Sequence, residues 1–242
     1  MHGIKKSLNK VNQYVNEKIG TSKPTAYDET YIQMEKDVDQ LIKMFYDLSS
    51  KIGDILQPNP HVRAKMAAYS HLAKIRGDTN SESYQHTTKS LANSLIRESN
   101  TFNKCTLFSE ALRETGQSFG DIAQYNQEFD HTVKTKVLEV IDSIMKGKIA
   151  TSVKLRRKVH SNRLMYDSRK RKDEKSIKTT QAHTKFRDSL SKSKKQMYNV
   201  VYKSQVFENI SILESLVNSQ IELETNSLNS LENLSKKLAE IK

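Results

Sequence analysis

YIQMEKDVDQLIKMFYDLSSKIGDI, residues 31–55, decides the fold. Its apolar positions are Tyr31, Met34, Val38, Leu41, Phe45, Leu48, Ile52 and Ile55, spaced 3, 4, 3, 4, 3, 4 and 3. That alternation averages roughly 3.5 residues, the period at which one side of an α-helix keeps facing a partner helix. The spacing predicts a long helix with a heptad seam. Asp28 and Glu29 open it, where negative charge meets the positive end of the helix dipole.

Working outward, the composition favours more of the same. The 242 residues include only 7 Gly and 3 Pro, well below ordinary usage of about 7% and 5%. Few turn residues over this length mean few, long elements. A second stripe runs through Phe108, Leu112, Thr115, Phe119, Ile122, Phe129, Val133, Val137, Val140 and Ile144, then weakens in a basic stretch. A third carries Phe186, Leu190, Met197, Val201, Ile210, Leu213, Val217, Leu228, Leu231, Leu234 and Leu238, after a turn within residues 172–180. At a rise of about 1.5 Å per residue, helices of about 60 residues are rods roughly 90 Å long. Hydrophobic residues make up 36% of the chain, a thin core suited to an all-α bundle completed by a second subunit.

The first seam stops at LQPNPHVRAKM, residues 56–66. Pro58 and Pro60 disfavour helix at the residues before them. Asn59 can cap a new helix with Pro60 in its first turn, and Gly77 can end it. Within this insert, residues 57–77, Val62, Met66, Tyr69 and Ala73 share a face flanked by Arg63, Lys65, Lys74 and Arg76. It reads as a short basic amphipathic helix or as a loop packing on a neighbour, with helix resuming over residues 87–99.

The N-terminus repeats the design more strongly. In residues 1–19, Ile4, Leu8, Val11, Val15 and Ile19 fall within an arc of roughly 80° on a helical wheel. Lys5, Lys6 and Lys10 lie outside the arc, and Gly20 and Pro24 separate the segment from the rod. A narrow apolar stripe beside lysines suits a helix lying in a lipid interface. The other reading is a helix that packs back on the body; a mitochondrial presequence would be richer in Arg.

Charge is concentrated. Residues 146–195 contain 18 Lys or Arg against 4 Asp or Glu, whereas the remainder has 22 against 24. Arg169, Lys170, Arg171 and Lys172 lie beside the predicted turn. So lopsided a distribution points to an acidic partner, either an anionic membrane or a nucleic acid. A nucleic-acid-binding coiled coil would bring stacking aromatics or a reading motif, which the basic stretch lacks, and it leaves the amphipathic segments unexplained.

Other classes find little support. The seven His residues are scattered without metal-ligand spacing, and there is no phosphate loop or nucleophile motif. A non-enzyme without cofactor or metal is expected. Cys105, the single cysteine, fits a reducing compartment, and no apolar run reaches the roughly 20 residues of a membrane span. The expected location is cytoplasmic, peripheral to membranes.

LQPNPHVRAKM followed by AKIRG resembles the insert of the endophilin N-BAR domain, closest to the A-type endophilins. GIKKSLNKVNQYVNEKIG, YIQMEKDVD, SLIRESNTF, FSEALRETGQSFGDIA and RLMYDSRKRK are similar to that family's amphipathic start, first helix, turn, second-helix entry and basic tip. The resemblance implies an elongated, crescent-shaped homodimer of three-helix subunits that binds anionic membranes and wedges its N-terminal helix and insert into lipid. It implies a scaffold acting in endocytosis or vesicle trafficking. The membrane-binding residues it implies are Ile4, Lys5, Lys6, Leu8, Lys10, Val11 and Val15; Val62, Arg63, Lys65, Met66 and Tyr69; and Arg169 to Lys172. Two departures are visible. No proline interrupts VLEVIDSIM, where the family carries a kink. The chain ends in predicted helix without a Trp, so the family's Src-homology type 3 domain, and with it recruitment of proline-rich endocytic proteins, is not expected within it.

Overall fold

The computed structural model describes residues 10, 11, 13–15, 17, 18, 23–57, 87–101 and 106–242. All regular structure among them is helical. The order is α1 (Glu29–Leu56), α2 (Thr87–Thr101), α3 (Leu107–Val133), a π turn (Lys134–Leu138), α4 (Glu139–Ile144), a second π turn (Met145–Ile149), α5 (Ala150–Lys172), α6 (Ile177–Tyr202) and α7 (Ser204–Ile241). The insert, residues 57–77, lies outside the described residues from Pro58 onward.

The helix starts are those the side chains dictate. Asp28 accepts the Tyr31 N–H at 2.9 Å, Thr106 the Ser109 N–H at 3.1 Å and Ser176 the Thr179 N–H at 3.2 Å. Each satisfies a backbone donor that the first helical turn leaves open. The expected turn after the second stripe is Asp173 to Ser176.

Two expectations change. The third helix is broken at Lys203, whose φ of −121° and ψ of −104° are not helical. Neither Gly nor Pro marks the spot; the break follows Tyr202, whose hydroxyl is hydrogen-bonded to Asp37 of α1. Near VLEVIDSIM the helical backbone carries two π turns instead of a proline kink. A π turn fits an extra residue into one helical turn, a deformation that needs no proline. Thr135 in the first of them donates back to the His131 carbonyl at 2.9 Å, a bond that competes with the regular ladder.

The chain divides into two compact units, Met1–Asp47 with Ile141–Ile210, and Leu48–Val140 with Ser211–Lys242. In the first, α5 and α6 form an antiparallel hairpin. Asn162 donates to the Lys185 carbonyl and Gln196 to that of Lys148, both at 3.2 Å. The first part of α1 lies alongside, and Tyr31, Val38, Val159, Phe186 and Met197 form a core exposed by 4% or less. The seam of α1 is thus half used for burial: Tyr31, Val38, Phe45 and Ile52 are buried, while Ile55 is 58% exposed.

In the second unit, α2 packs tightly on α3. A Cβ added at Gly116 would lie 2.7 Å from Ile96 Cγ1 and 3.2 Å from the Ala92 carbonyl oxygen, so only glycine allows this approach. α3 meets α7 through polar groups. Ser118 Oγ lies 2.9 Å from Ser230 Oγ, and Lys237 pairs with Glu114 at 2.6 Å. The cleft between them, about 540 Å³, is lined by Asn226, Asn229 and Asn233 among others. Consequently most of the apolar stripe of α7 is not buried in this subunit, Leu234 at 7% exposure being the exception. Leu213, Val217, Ile221, Leu228 and Leu231 are between 42% and 57% exposed, and Phe108, placed by periodicity on an inner face, is 58% exposed.

Candidate functional site

The basic stretch divides into cations that hold the first unit together and cations that face solvent. Arg156 belongs to the former. Its guanidinium forks onto Asp39, with Nη1 2.6 Å from Oδ1 and Nη2 3.1 Å from Oδ2, while Nε donates to Glu35 at 3.0 Å. The Asp39 hydrogen bonds outweigh burial and hold this group's pKa above its ordinary value. Lys194 pairs with Asp28 at 2.6 Å, Lys148 pairs with Glu208, and Lys146 pairs with Asp142 at 2.6 Å.

Arg163 is the most buried of these, 6% exposed. Burial alone would lower its pKa, but hydrogen bonds with Glu17 and Tyr27 leave it raised. Nη2 lies 2.9 Å from Glu17 Oε2, Nη1 3.2 Å from Asp167 Oδ2, and Nε donates to the Tyr27 hydroxyl at 3.2 Å. Asp167 in turn accepts the Thr25 N–H at 3.2 Å. Such a charge is tolerated in the interior because each nitrogen has a partner. Buried Ser152, Arg163, Asp167 and Ser168 explain why the apolar pattern fades along α5. Part of its inner face is polar.

The solvent-facing set is different. Lys154, Arg157 and Lys158 share one face of α5 by their spacing, and Lys192 and Lys195 are exposed on α6. Among the described residues these five enter no ion pair. Sequence reading named the tip quartet and passed over these; their i, i+3, i+4 spacing was the available signal. The quartet forms the last turn of α5, where positive charge suits the helix C-terminus. Arg169 donates to the Lys178 carbonyl at 3.3 Å and Lys170 pairs with Glu174 at 3.4 Å, while Lys170, Arg171 and Lys172 are exposed.

At the N-terminus, the described residues are helical and lie against α5, so separation from the body is not what the structure has. Lys10 is hydrogen-bonded to Ser161, Gln13 is fully buried and bonds Glu17 at 3.0 Å, and Glu17 reaches Arg163. Val11 and Val15 face outward, 54% and 43% exposed, with Tyr14 between them at 46%. Ile4, Lys5, Lys6 and Leu8, and the insert's Val62, Arg63, Lys65, Met66 and Tyr69, lie outside the described residues. Among the described residues no helix is long and apolar enough to cross a membrane.

A family model described as BAR domain matches residues 4–240. The chain is 30% identical over 200 residues to Endophilin-A of Drosophila melanogaster, covering 82% of this chain and 54% of that protein. To Endophilin-A2 of Gallus gallus it is 28% identical over 238 residues, 98% of this chain and 64% of the relative. The chain therefore spans between about half and two thirds of the length of these curated relatives. Among solved structures, the N-terminal I-BAR domain of D. Discoideum IBARa aligns over 88% of this chain and 92% of that one, at 14% identity and a TM-score of 0.45, too loose a likeness to bear on the fold. The match along nearly the whole length, together with the all-helical fold, establishes that the chain belongs to the BAR domain family.

Proposed function

We propose that this chain is a membrane-curving scaffold of the endophilin type, acting in endocytosis or vesicle trafficking as a homodimer at the cytoplasmic face of membranes. The observation that carries the reading is the sorting of charge in the basic unit. Arg156 and Arg163 are consumed by carboxylates, yet Lys154, Arg157, Lys158, Lys192 and Lys195 remain exposed, as do most of the tip quartet. Each such residue near an anionic leaflet contributes about 1 kcal/mol. In the same unit, the outward Val11, Tyr14 and Val15 offer a shallow apolar edge suited to the interfacial region. By their sequence pattern, Ile4 and Leu8 with Lys5 and Lys6, and the insert's Val62, Met66 and Tyr69 with Arg63 and Lys65, supply further wedge residues and their basic flanks, while Lys10 is taken up by Ser161.

The exposed stripe of α7, with Leu91, Leu107 and Phe108 also exposed in the same unit, supports a second copy as partner. Contiguous apolar surface of this kind is unusual on a monomer. No observation favours the nucleic-acid alternative.

The test is co-sedimentation with phosphatidylserine-containing and neutral vesicles, with electron microscopy of the pellets. Salt-sensitive binding to the anionic vesicles with narrow tubules is expected. Equal binding to neutral vesicles, or none to either, would refute the reading.

A further inference from the structure

An apolar side chain stands out at the closed end of the α5–α6 hairpin. Ile177, the first residue of α6, is 78% exposed, the highest value for a large hydrophobic side chain among the described residues. A single exposed apolar residue is ordinary; the setting of this one is not. Residues 169–178 hold six Lys or Arg against two Asp or Glu, and Lys170, Arg171, Lys172, Lys175 and Lys178 are all exposed. We propose that Ile177 is a lipid anchor: the cations of the hairpin end dock on anionic headgroups, and this side chain enters the apolar layer beneath them. The proposal rests on the membrane reading above and adds a contact that charge alone does not supply.

Local structure has no other use for the residue. The buried face of α6 runs through Thr179, Ala182, Phe186, Ser189, Ser193 and Met197. Ile177 lies two positions before Thr179, about 200° round a helix of 3.6 residues per turn, so it points away from that face. It belongs neither to the core around Phe186 nor to the partly buried side chains packed on it. Ser176 does the capping, and a β-branched residue is a slightly weaker helix former than a straight-chain one. The turn that carries Ile177 is tied down. The Asp173 carbonyl accepts the Ser176 N–H at 3.4 Å and the Thr179 hydroxyl at 2.7 Å, and its carboxylate accepts the Lys175 N–H at 3.2 Å. A side chain held out by an ordered turn inserts without the cost of ordering a loop, which is what preorganisation gains. An aliphatic group set among cations matches an anionic bilayer, where the charge lies outermost and the apolar layer beneath it.

The chain contains no Trp, so Ile177→Trp places a single fluorescent reporter at the hairpin end. With phosphatidylserine-containing vesicles its emission should move to shorter wavelength, and lipids brominated on the acyl chain should quench it. Ile177→Ser should bind these vesicles about threefold to tenfold more weakly than the parent, the scale of a partly buried aliphatic side chain. Because that loss is apolar, its ratio should hold as salt is raised over the range in which the parent still binds. The loss caused by Arg171→Gln with Lys175→Gln should instead shrink with screening. Melting temperature should be nearly unchanged in every variant, since each side chain is exposed.

Ile177→Ser binding as tightly as the parent would overturn the anchor, as would an Ile177→Trp emission unmoved by vesicles that the variant binds. A loss that fades with salt in step with the charge variant would overturn it too, because the hairpin end would then touch headgroups only. An emission shift that appears without lipid as protein concentration rises would assign the residue to a contact between copies instead. If the parent itself ignores anionic vesicles, the membrane reading fails, and the anchor with it.

Discussion

The two units make opposite use of the same building material. The first, 26 Lys or Arg against 13 Asp or Glu, closes an apolar core around Val38, Val159 and Met197 and fastens its helices with Arg156 and the buried Arg163. The second, 14 against 15, buries Ile52, Phe129, Val133, Val137, Ile212 and Leu234 but joins α3 to α7 through a serine pair and the Lys237–Glu114 ion pair, leaving Leu213, Val217, Ile221, Leu228 and Leu231 of α7 at the surface. The first unit closes its core within the chain and exposes its surplus charge to solvent, although Tyr46, Ile177 and Phe207 also lie at its surface. The second leaves an apolar stripe on α7 that its own helices do not cover. A helix stripe tells that a face is apolar, and only the fold shows whether the chain itself covers it.

The comparison breaks most readily at the core. Met197→Ala should cost about 2–5 kcal/mol of unfolding free energy, as cavity-forming substitutions do, measured by urea denaturation. Ile221→Ser, on the exposed stripe, should leave the stability of the isolated subunit within about 0.5 kcal/mol. A comparable loss from both would mean the second unit is also closed in the monomer.

Self-association is the next largest effect. Val217→Ser with Ile221→Ser should weaken dimerisation by about 3 kcal/mol, given about 1.5–3 kcal/mol for each large apolar side chain fully buried. Sedimentation velocity over a dilution series reads it. A dimer that survives the double change places its interface elsewhere.

The two kinds of cation come next. Changing Lys154, Arg157 and Lys158 together to Gln should lower affinity for anionic vesicles by about 1 kcal/mol for each residue that reaches the lipid, with melting temperature nearly unchanged. Arg156→Met should do the reverse, lowering stability by about 1–2 kcal/mol through the lost charged hydrogen bonds while vesicle binding holds. If the two variants behave alike, the division into clamps and free charges is wrong.

The smallest effect is a pH dependence at the rim. Burial tends to raise the Asp28 pKa, but the Lys194 ammonium and the Tyr31 N–H outweigh it and hold the carboxyl below its usual range. A carboxyl depressed in the folded state adds stability at pH above its ordinary value, near about 4, and loses it as pH falls through the folded value. The pair is partly exposed, 44% at Asp28 and 32% at Lys194, so the contribution stays below about 1 kcal/mol. Thermal scans from neutral pH down to about pH 3 should show the parent's advantage over Asp28→Asn vanishing in the acid range; an advantage that persists there would have another origin.

Much of this was legible in the chain before any fold. The 3, 4 seam placed α1, the largely polar run at residues 172–180 bracketed the hairpin turn, and the BAR domain resemblance held over residues 4–240. Helical periodicity is a local property, set by 3.6 residues per turn, so neighbours in sequence report it. What the sequence did not reveal depends on distant partners. Arg156 meets Glu35 across 121 residues and Arg163 meets Glu17 across 146, and nothing near either arginine distinguishes it from Lys154 or Arg157, which stay free. The break at Lys203 and the first π turn carry no Gly or Pro to announce where the helical ladder changes, and only Gly147 marks the second π turn. The apolar and basic faces were thus determined by the sequence alone. Which of them the chain satisfies within itself, and which it leaves exposed, was decided by tertiary packing, because burial is a property of neighbours in space.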